Sequence, residues 1–573
     1  MAILHSIKIK NFRSIESFEQ CFKSSGVTCI IGRGDTGKTT ILEAISYVLT
    51  SHRYINFYDS DFLNCNSNNT IEIEATLLDL PKEIISKYGD YIRCIVDNEV
   101  IDDLASIEAE NAPEALTIKL TVYNDLEPSW TVFCQRALEP RAISAVDRSK
   151  LNVLYVTDYN DRQFSLNKGT PLYSMLKSLS DGEIFNENIV LDVIREAKGK
   201  IDTSIAGAFD NLFARLTGEA KILGLELKDL KTSLDQRDIT INQNRITLHD
   251  GELPLRLKGR GSKRLLSIAI QLAILDESSI ILIDEVEYGL EPDRVQHLVN
   301  TLISKDNCQV IITTHSSNVI TELPCDNLHI LRGLEGEKYL LPIKVEMQAL
   351  VRSNPDAFFA KKVVVCEGAT EIGIIRAWNK NRIKNRKLSM TYLGVRYADG
   401  AGSQMVERAQ GFDALEYDTV LVCDSDIDDK DNGKIADEKR IFNTNGQKVF
   451  DCQKGLSIEE QVFYDVSWEC VKKLICLHIC IDRENPDKNT TMQSVFQSVS
   501  SKVGNIDVLT WLDNDSIEIR AALGAISKKN DWYKNITDGE RFGDLIISDL
   551  STHRNDTLLH QTFYKLDQWI DGK

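Results

Sequence analysis

The chain has 573 residues, 42% of them hydrophobic and 27% charged. At roughly 100–200 residues per domain this length implies more than one core, three to five folding units, and the composition excludes a long disordered chain. Asp and Glu number 86 against 67 Lys and Arg, a net charge of −19. That balance excludes a non-specific basic coat for nucleic acid, but not a local basic groove or metal ions that neutralise carboxylates.

Ser6-Ile-Lys-Ile-Lys alternates like a strand and lacks the apolar core of a cleaved leader. No apolar run reaches the length of a membrane span, so a soluble, cytoplasmic protein is expected. Val27-Thr-Cys-Ile-Ile predicts a second, buried strand, which ends in a glycine-rich loop and a helix from Ile41. Short strands are expected over Thr70 to Leu80, Leu116 to Tyr123 and Ser129 to Cys134. A mostly helical stretch follows from about Leu172 to Leu230, then a strand near Ile239 to Leu248 and a helix after Gly259-Arg-Gly-Ser. Ser279 to Ile283 and Gln309 to Thr313 are short apolar runs of the buried parallel type. The pattern breaks near Asn354-Pro355, and a new βαβ-like series begins at Lys362. The 13 scattered cysteines read as reduced thiols. Cys470, Cys476, His478 and Cys480 fit no common zinc spacing and read better as one buried element.

Gly32-x-x-x-x-Gly37-Lys38-Thr39 between a strand and a helix matches the phosphate-binding loop. Its glycines let backbone N–H groups curl around phosphates, and the helix N-terminus adds partial positive charge. Gly32, Gly34, Gly37, Lys38, Thr39 and Thr40 form the expected ATP cradle, with Lys38 on the β- and γ-phosphates and Thr39 on Mg²⁺. Ile280 to Ile283 ends in Asp284-Glu285, the form of a Walker B: Asp284 is expected to hold Mg²⁺ through water and Glu285 to polarise the hydrolytic water. His315, after a third strand, is placed to sense the γ-phosphate.

The second half repeats the theme with acids. Lys362-Val-Val-Val-Cys-Glu367-Gly is a strand ending in glutamate, and Thr419-Val-Leu-Val-Cys-Asp424-Ser-Asp426 is a strand ending in Asp-x-Asp. Parallel strands gather such termini at one sheet edge, where carboxylates repel unless a divalent cation lies between them. Hard oxygen ligands suit Mg²⁺ or Mn²⁺, and two such ions can drive phosphodiester hydrolysis. An EF-hand is excluded, because its sixth position would be Asp429 rather than glycine.

The first half resembles ABC-type ATPases of the SMC/Rad50 head kind. In that resemblance Gly259 and Gly261 of Leu257-Lys-Gly-Arg-Gly-Ser occupy the signature position and Gly289-Leu-Glu-Pro292 the D-loop, which implies head-to-head dimers. Gly34 stands where such loops commonly have Asn, and the signature is degenerate, so nucleotide binding is expected more firmly than fast hydrolysis. Residues 361–465 resemble a Toprim domain. Together the halves resemble the OLD (overcoming lysogenisation defect) family of ATP-binding endonucleases, of the kind found in Gabija-like or retron-associated anti-phage systems. The resemblance implies further metal ligands at Glu371 and at Glu459 or Glu460, and a catalytic lysine at Lys534, with Lys528 or Lys529 next.

The expected architecture is α/β multidomain: an ATPase head over 1–345 with a helical dimerisation insertion at about 165–235, a linker over 346–360, and a Toprim domain with a C-terminal helical part over 361–573. The expected function is ATP-regulated, metal-dependent DNA cleavage by Glu367, Asp424, Asp426 and Lys534, with Glu285 serving ATP hydrolysis. DNA, a second copy, and a helicase or retron reverse transcriptase are the expected partners. Two rivals are a non-catalytic ATP-dependent sensor with an inert Toprim site and an SMC-like repair ATPase. The second would need sustained heptads that the segment between Thr39 and Gly259 lacks.

Overall fold

The computed structural model describes residues 2–102, 112–156, 164, 206–234, 246–274, 279–305, 308–334, 336–426, 433–445, 448–484, 490–504, 506–552 and 557–572. They fall into two compact units, Met1–Val345 and Glu346–Lys573, fewer than length alone implies. Most of the expected insertion at about 165–235, and the dimerisation assigned to it, lies outside the described residues. Its described part includes helix Ala206–Ile222. Among the described residues, no helix is long and apolar enough to cross a membrane.

In the first unit one large sheet changes character along its width. Strands Val153–Val156, Ile280–Ile283, Gln309–Thr314, Gly26–Ile31 and Leu328–Arg332 lie side by side and parallel. All four residues of Ile280–Ile283 are buried, as a central parallel strand covered on both faces requires. Glu337–Pro342 then carries the sheet into an antiparallel half made of Ile15–Cys21, Ile3–Phe12, Ile71–Leu78 and Glu114–Val122. There alternation returns: Ile7 faces Ala75 and Ile9 faces Ile73 across the ladder, with Lys8 between them and Lys10 after them outward. Helix Lys38–Leu49 buries Ile41, Leu42, Ile45 and Val48 in the same core as these strands. Three strands precede the phosphate loop, rather than the expected two, because Asn11 and Arg13 take positive φ and turn the chain back at Phe12 into Ile15–Cys21.

The second unit carries a four-stranded parallel sheet in the order Val395–Asp399, Lys362–Cys366, Asp418–Cys423, Val449–Asp451. Residues 346–360, expected as a linker, belong to this unit and include the helix Gln348–Ser353. Leu350, Val351, Ala357 and Phe358 are buried there, so the segment is held by packing. Helices from Ile458 onward build a second layer around Val462, Phe463, Leu474, Trp532, Tyr533 and Phe542. Helices Ala369–Lys384 and Ile536–Thr552 pack backbone to backbone: a Cβ on Gly373 would lie 2.5 Å from the Glu540 nitrogen. This close approach brings the Trp532-Tyr533-Lys534 segment beside the first strand end, where Thr370 donates to the Tyr533 carbonyl at 3.1 Å.

Candidate functional site

At the first unit's parallel edge, strand Gly26–Ile31 runs into the loop, and Gly37, with φ of 103°, starts helix Lys38–Leu49. That left-handed conformation favours glycine. Lys38 is buried, and its ammonium donates to the carbonyls of Gly32 at 3.1 Å and Arg33 at 2.8 Å. Burial lowers its pKa to about 8 against the opposing pull of Asp284, Glu285 and Glu287. Gly32 is buried at φ of 155°, and Gly34 is exposed, with open space where a side chain would project. Thr39 is exposed and Thr40 buried.

Thr39 donates to Asp284 Oδ1 at 3.1 Å, joining the loop to the end of strand Ile280–Ile283. The same oxygen accepts from the Thr313 hydroxyl at 2.6 Å, and that hydroxyl accepts the Glu285 N–H at 2.8 Å. Glu287, which the sequence did not single out, accepts from the Thr314 hydroxyl at 2.7 Å and from the His315 N–H at 2.6 Å. Glu287 therefore seats the turn that carries His315, whose pKa is lowered by burial and by the charge of Lys38. Gly259 is exposed immediately before helix Arg260–Ile274. Gly261, in its first turn, packs so close that a Cβ would lie 2.7 Å from the Gly289 carbonyl. Buried Arg264 in that helix donates to the Asp284 carbonyl at 2.6 Å. It ties the signature-position helix to the Walker B turn.

At the second unit's edge, Cys366 pairs with Val422, so the next residues of both strands emerge together. Glu367, Asp424 and Asp426 each offer a carboxylate oxygen within 4.8 Å of the others. The Asp424 N–H donates to Glu367 Oε2 at 2.8 Å, and Asp424 Oδ1 accepts the Ile458 N–H at 2.7 Å. That N–H opens helix Ile458–Asp465, whose N-cap is Ser457. Ser457-x-x-Glu460 is a capping box, with Glu460 Oε2 accepting the Ser457 N–H at 2.9 Å. The capping role separates the neighbouring glutamates. Glu460 caps the helix and meets Lys528 at 3.2 Å, while Glu459, 1% exposed, pairs with Lys534 at 3.0 Å. Lys528 also meets Asp426 at 2.8 Å, so two of the three candidate lysines reach the acids. Glu371 is buried and caps its own helix by accepting the Gly368 N–H at 2.9 Å. Buried Lys439, unforeseen, donates to the Asp424 carbonyl and pairs with Asp451 at 3.1 Å.

The acids pay an electrostatic cost for this crowding. Burial, then Glu459 and Glu367, raises the pKa of Glu371 to about 7. Burial, then Glu371, Glu367 and Glu459, raises Asp424 well above the carboxylate range. Glu367 is raised by burial and by Asp426. Lys534 is raised, because the carboxylates of Glu459, Asp424 and Glu371 outweigh the burial that opposes them. One Glu459 oxygen, Oε2, is buried without a hydrogen-bond partner among the described residues. Hard carboxylate oxygens in this number and crowding fit Mg²⁺ or Mn²⁺. The cysteine–histidine cluster is a helix instead: His478 is buried and stacks on Trp532 at 4.0 Å, Cys470 is buried, and Cys476 and Cys480 are exposed.

The fold and the two edges define a P-loop ATPase joined to a Toprim-type α/β domain with a helical part. Residues 27–321 match the family model "AAA domain, putative AbiEii toxin, Type IV TA system", and residues 358–426 match "Overcoming lysogenization defect protein-like, TOPRIM domain". The chain belongs to the first family and carries the second domain after it, the make-up of an OLD-family ATPase–Toprim fusion. The DNA replication and repair protein RecF of Oenococcus oeni is 23% identical over 358 residues, covering 55% of this chain and 93% of that protein. The "Retron Vc95 probable ATPase" of Vibrio cholerae is 24% identical over 401 residues, covering 59% of this chain and 75% of that protein. A solved Smc head domain derived from Pyrococcus furiosus, bound to the C-terminal domain of ScpA, is 15% identical with a TM-score of 0.37. It covers 61% of this chain and 98% of that one.

Proposed function

We propose that this protein is a nucleotide-regulated, divalent-metal-dependent DNA endonuclease. The observation that carries the reading is the convergence of Glu367, Asp424 and Asp426 at one sheet edge, with Lys534 and Lys528 ion-paired to acids around it. Glu367, Asp424 and Asp426 would hold Mg²⁺ or Mn²⁺, with Glu371 and Glu459 completing the acid set. When bound there, such ions would supply an activated water and charge stabilisation for the leaving oxygen of a phosphodiester. Lys534 offers positive charge to the scissile phosphate, and Glu459 keeps its ammonium oriented. In the first unit Lys38 takes the β- and γ-phosphates, Thr39 and Asp284 the nucleotide's Mg²⁺, and Glu285 the hydrolytic water. His315 lies where it can sense the γ-phosphate.

Supercoiled-plasmid nicking with Mn²⁺, run with and without ATP, tests the reading; intact plasmid at every metal and nucleotide concentration would leave the inert-sensor reading. The retron ATPase relative supports an anti-phage role, with a second copy of this chain and a helicase or reverse transcriptase as partners. The RecF relative favours a second reading, a DNA-repair ATPase, which predicts DNA-stimulated ATP hydrolysis without cleavage.

A further inference from the structure

Thr313 is wholly buried at the end of strand Gln309–Thr314, next to the strand that ends in Asp284-Glu285. A hydroxyl has one proton to give and lone pairs to receive, and this one uses both. It donates to Asp284 Oδ1 at 2.6 Å and accepts the Glu285 N–H at 2.8 Å. The main chain adds a further tie, from the Val286 N–H to the Thr313 carbonyl at 3.1 Å. Glu285 itself sits at φ of +44°, in the left-handed region that a residue with a Cβ seldom occupies. Such backbone persists only where its surroundings over-determine it, and it gathers at functional sites.

We propose that Thr313 is a positioning residue for ATP hydrolysis: its hydroxyl fixes the Asp284 carboxylate and locks Glu285 in the left-handed turn that aims its side chain. The inference rests on the reading of Asp284 and Glu285 as the hydrolytic pair. Thr39 also donates to Asp284 Oδ1, at 3.1 Å, so Asp284 keeps one donor without Thr313, whereas Glu285 loses the acceptor of its N–H. The consequence is selective. Turnover should depend on Thr313 more than nucleotide affinity does, because Lys38 and the loop N–H groups bind phosphate without it.

The test compares wild type, Thr313→Val, Thr313→Ser and Glu285→Gln in the full-length chain. Fluorescent-ATP titration reads affinity, and single-turnover phosphate release with protein in excess reads even slow hydrolysis. Valine keeps the branched shape and strand preference of threonine and puts a methyl, which can neither donate nor accept, where the hydroxyl was. It should slow hydrolysis by roughly 10- to 100-fold, the usual loss when a group orienting a metal-site ligand is removed. ATP affinity should change little, and serine should restore most of the rate. Hydrolysis lost in Glu285→Gln but kept in Thr313→Val overturns the proposal alone. Equal hydrolysis in wild type and Glu285→Gln overturns the reading of Glu285 and the proposal with it. A serine variant as slow as valine, or a valine variant whose only defect is weaker ATP binding, also overturns it by assigning Thr313 a packing or binding role.

Discussion

At the edge that ends in Thr39 and Asp284, a buried ammonium lies against backbone carbonyls; at the edge that ends in Glu367 and Asp424, buried carboxylates crowd together. Both edges are the carboxyl ends of parallel strands, and both mix lysines with acids. Their electrostatic preparation is opposite. Lys38 is easier to deprotonate than an ordinary lysine, so an added anion would restore its preferred charge. Glu371 and Asp424 are harder to ionise than ordinary acids, so an added cation would restore theirs. The shift of a resident group reports the sign of the ligand its site suits. On the proposed reading, one architecture would serve a polyanion in one unit and metal cations in the other.

The sharpest way to break this comparison is to delete one ligand at the acidic edge. Asp424→Ala removes a carboxylate that gathers with those of Glu367 and Asp426 and accepts the Ile458 N–H. Plasmid nicking should fall by on the order of 10²-fold or more. ATP binding should survive, because the loop belongs to the other compact unit. Nicking at the wild-type rate would move the chemistry away from this edge. The converse variant is Lys38→Ala, which removes the charge facing the phosphates. ATP affinity should fall roughly 10- to 100-fold, the value of a charge-assisted hydrogen bond. Calorimetric Mn²⁺ binding should be unchanged. Unaltered nucleotide affinity would remove the loop from the ATP site.

How much of each edge could be read in advance differs for physical reasons. The strand–loop–helix around Lys38 and the two acidic strand ends are local patterns, and both were legible. Sheet order is not local, and the pairing of Glu337–Pro342 that joins the parallel and antiparallel halves carried no sequence mark. Glu459 and Glu460 are adjacent, and composition cannot tell them apart. The Ser457-x-x-Glu460 capping box was readable and would have assigned Glu460 to the helix end. Trp532 and Tyr533 fold inward, and both Lys528 and Lys534 meet acids at this edge, a convergence that local sequence does not show. Thr313 looks like any polar residue at the end of an apolar strand, and Glu287 like any acid in the turn after one. Only the neighbouring strand end gives them partners.

A packing variant sharpens the comparison from another side, by moving the acidic edge without touching an acid. Gly373→Ala places a methyl 2.5 Å from the Glu540 nitrogen and 2.7 Å from the Gly539 Cα, so the two helices must separate. Overpacking of this kind costs about 1–3 kcal/mol, several degrees of melting temperature for a unit of this size. Because Lys534 precedes the shifted helix, cleavage should fall with stability while ATP affinity stays. An unchanged melting temperature would mean the helices are free to part.

The smallest effect is the contribution of the acidic edge to the dependence of stability on pH, and the sign of that contribution is fixed by its raised acids. Burial and the charges of Glu459 and Glu367 lift Glu371 from an ordinary 4.5 to about 7. Between those values the folded chain holds a proton that the unfolded chain has released. Stability is then fully present below about pH 4.5 and declines as pH rises to about 7, above which the loss is complete. Asp424 and Glu367, also raised, add terms of the same sign. Divalent cations bind the ionised form, so Mn²⁺ should bind more tightly as pH rises and should offset the decline. The measurement is thermal melting of metal-free protein at about pH 5 and about pH 8, repeated with Mn²⁺. The metal-free melting temperature should be lower at the higher pH, and Mn²⁺ should narrow the gap. Glu371→Gln removes the titrating group with little change of shape, so the gap should shrink without metal as well. A metal-free protein that grows more stable over this range would mean that the acids are not held protonated by their crowding, and the opposition between the two edges would lose its electrostatic basis.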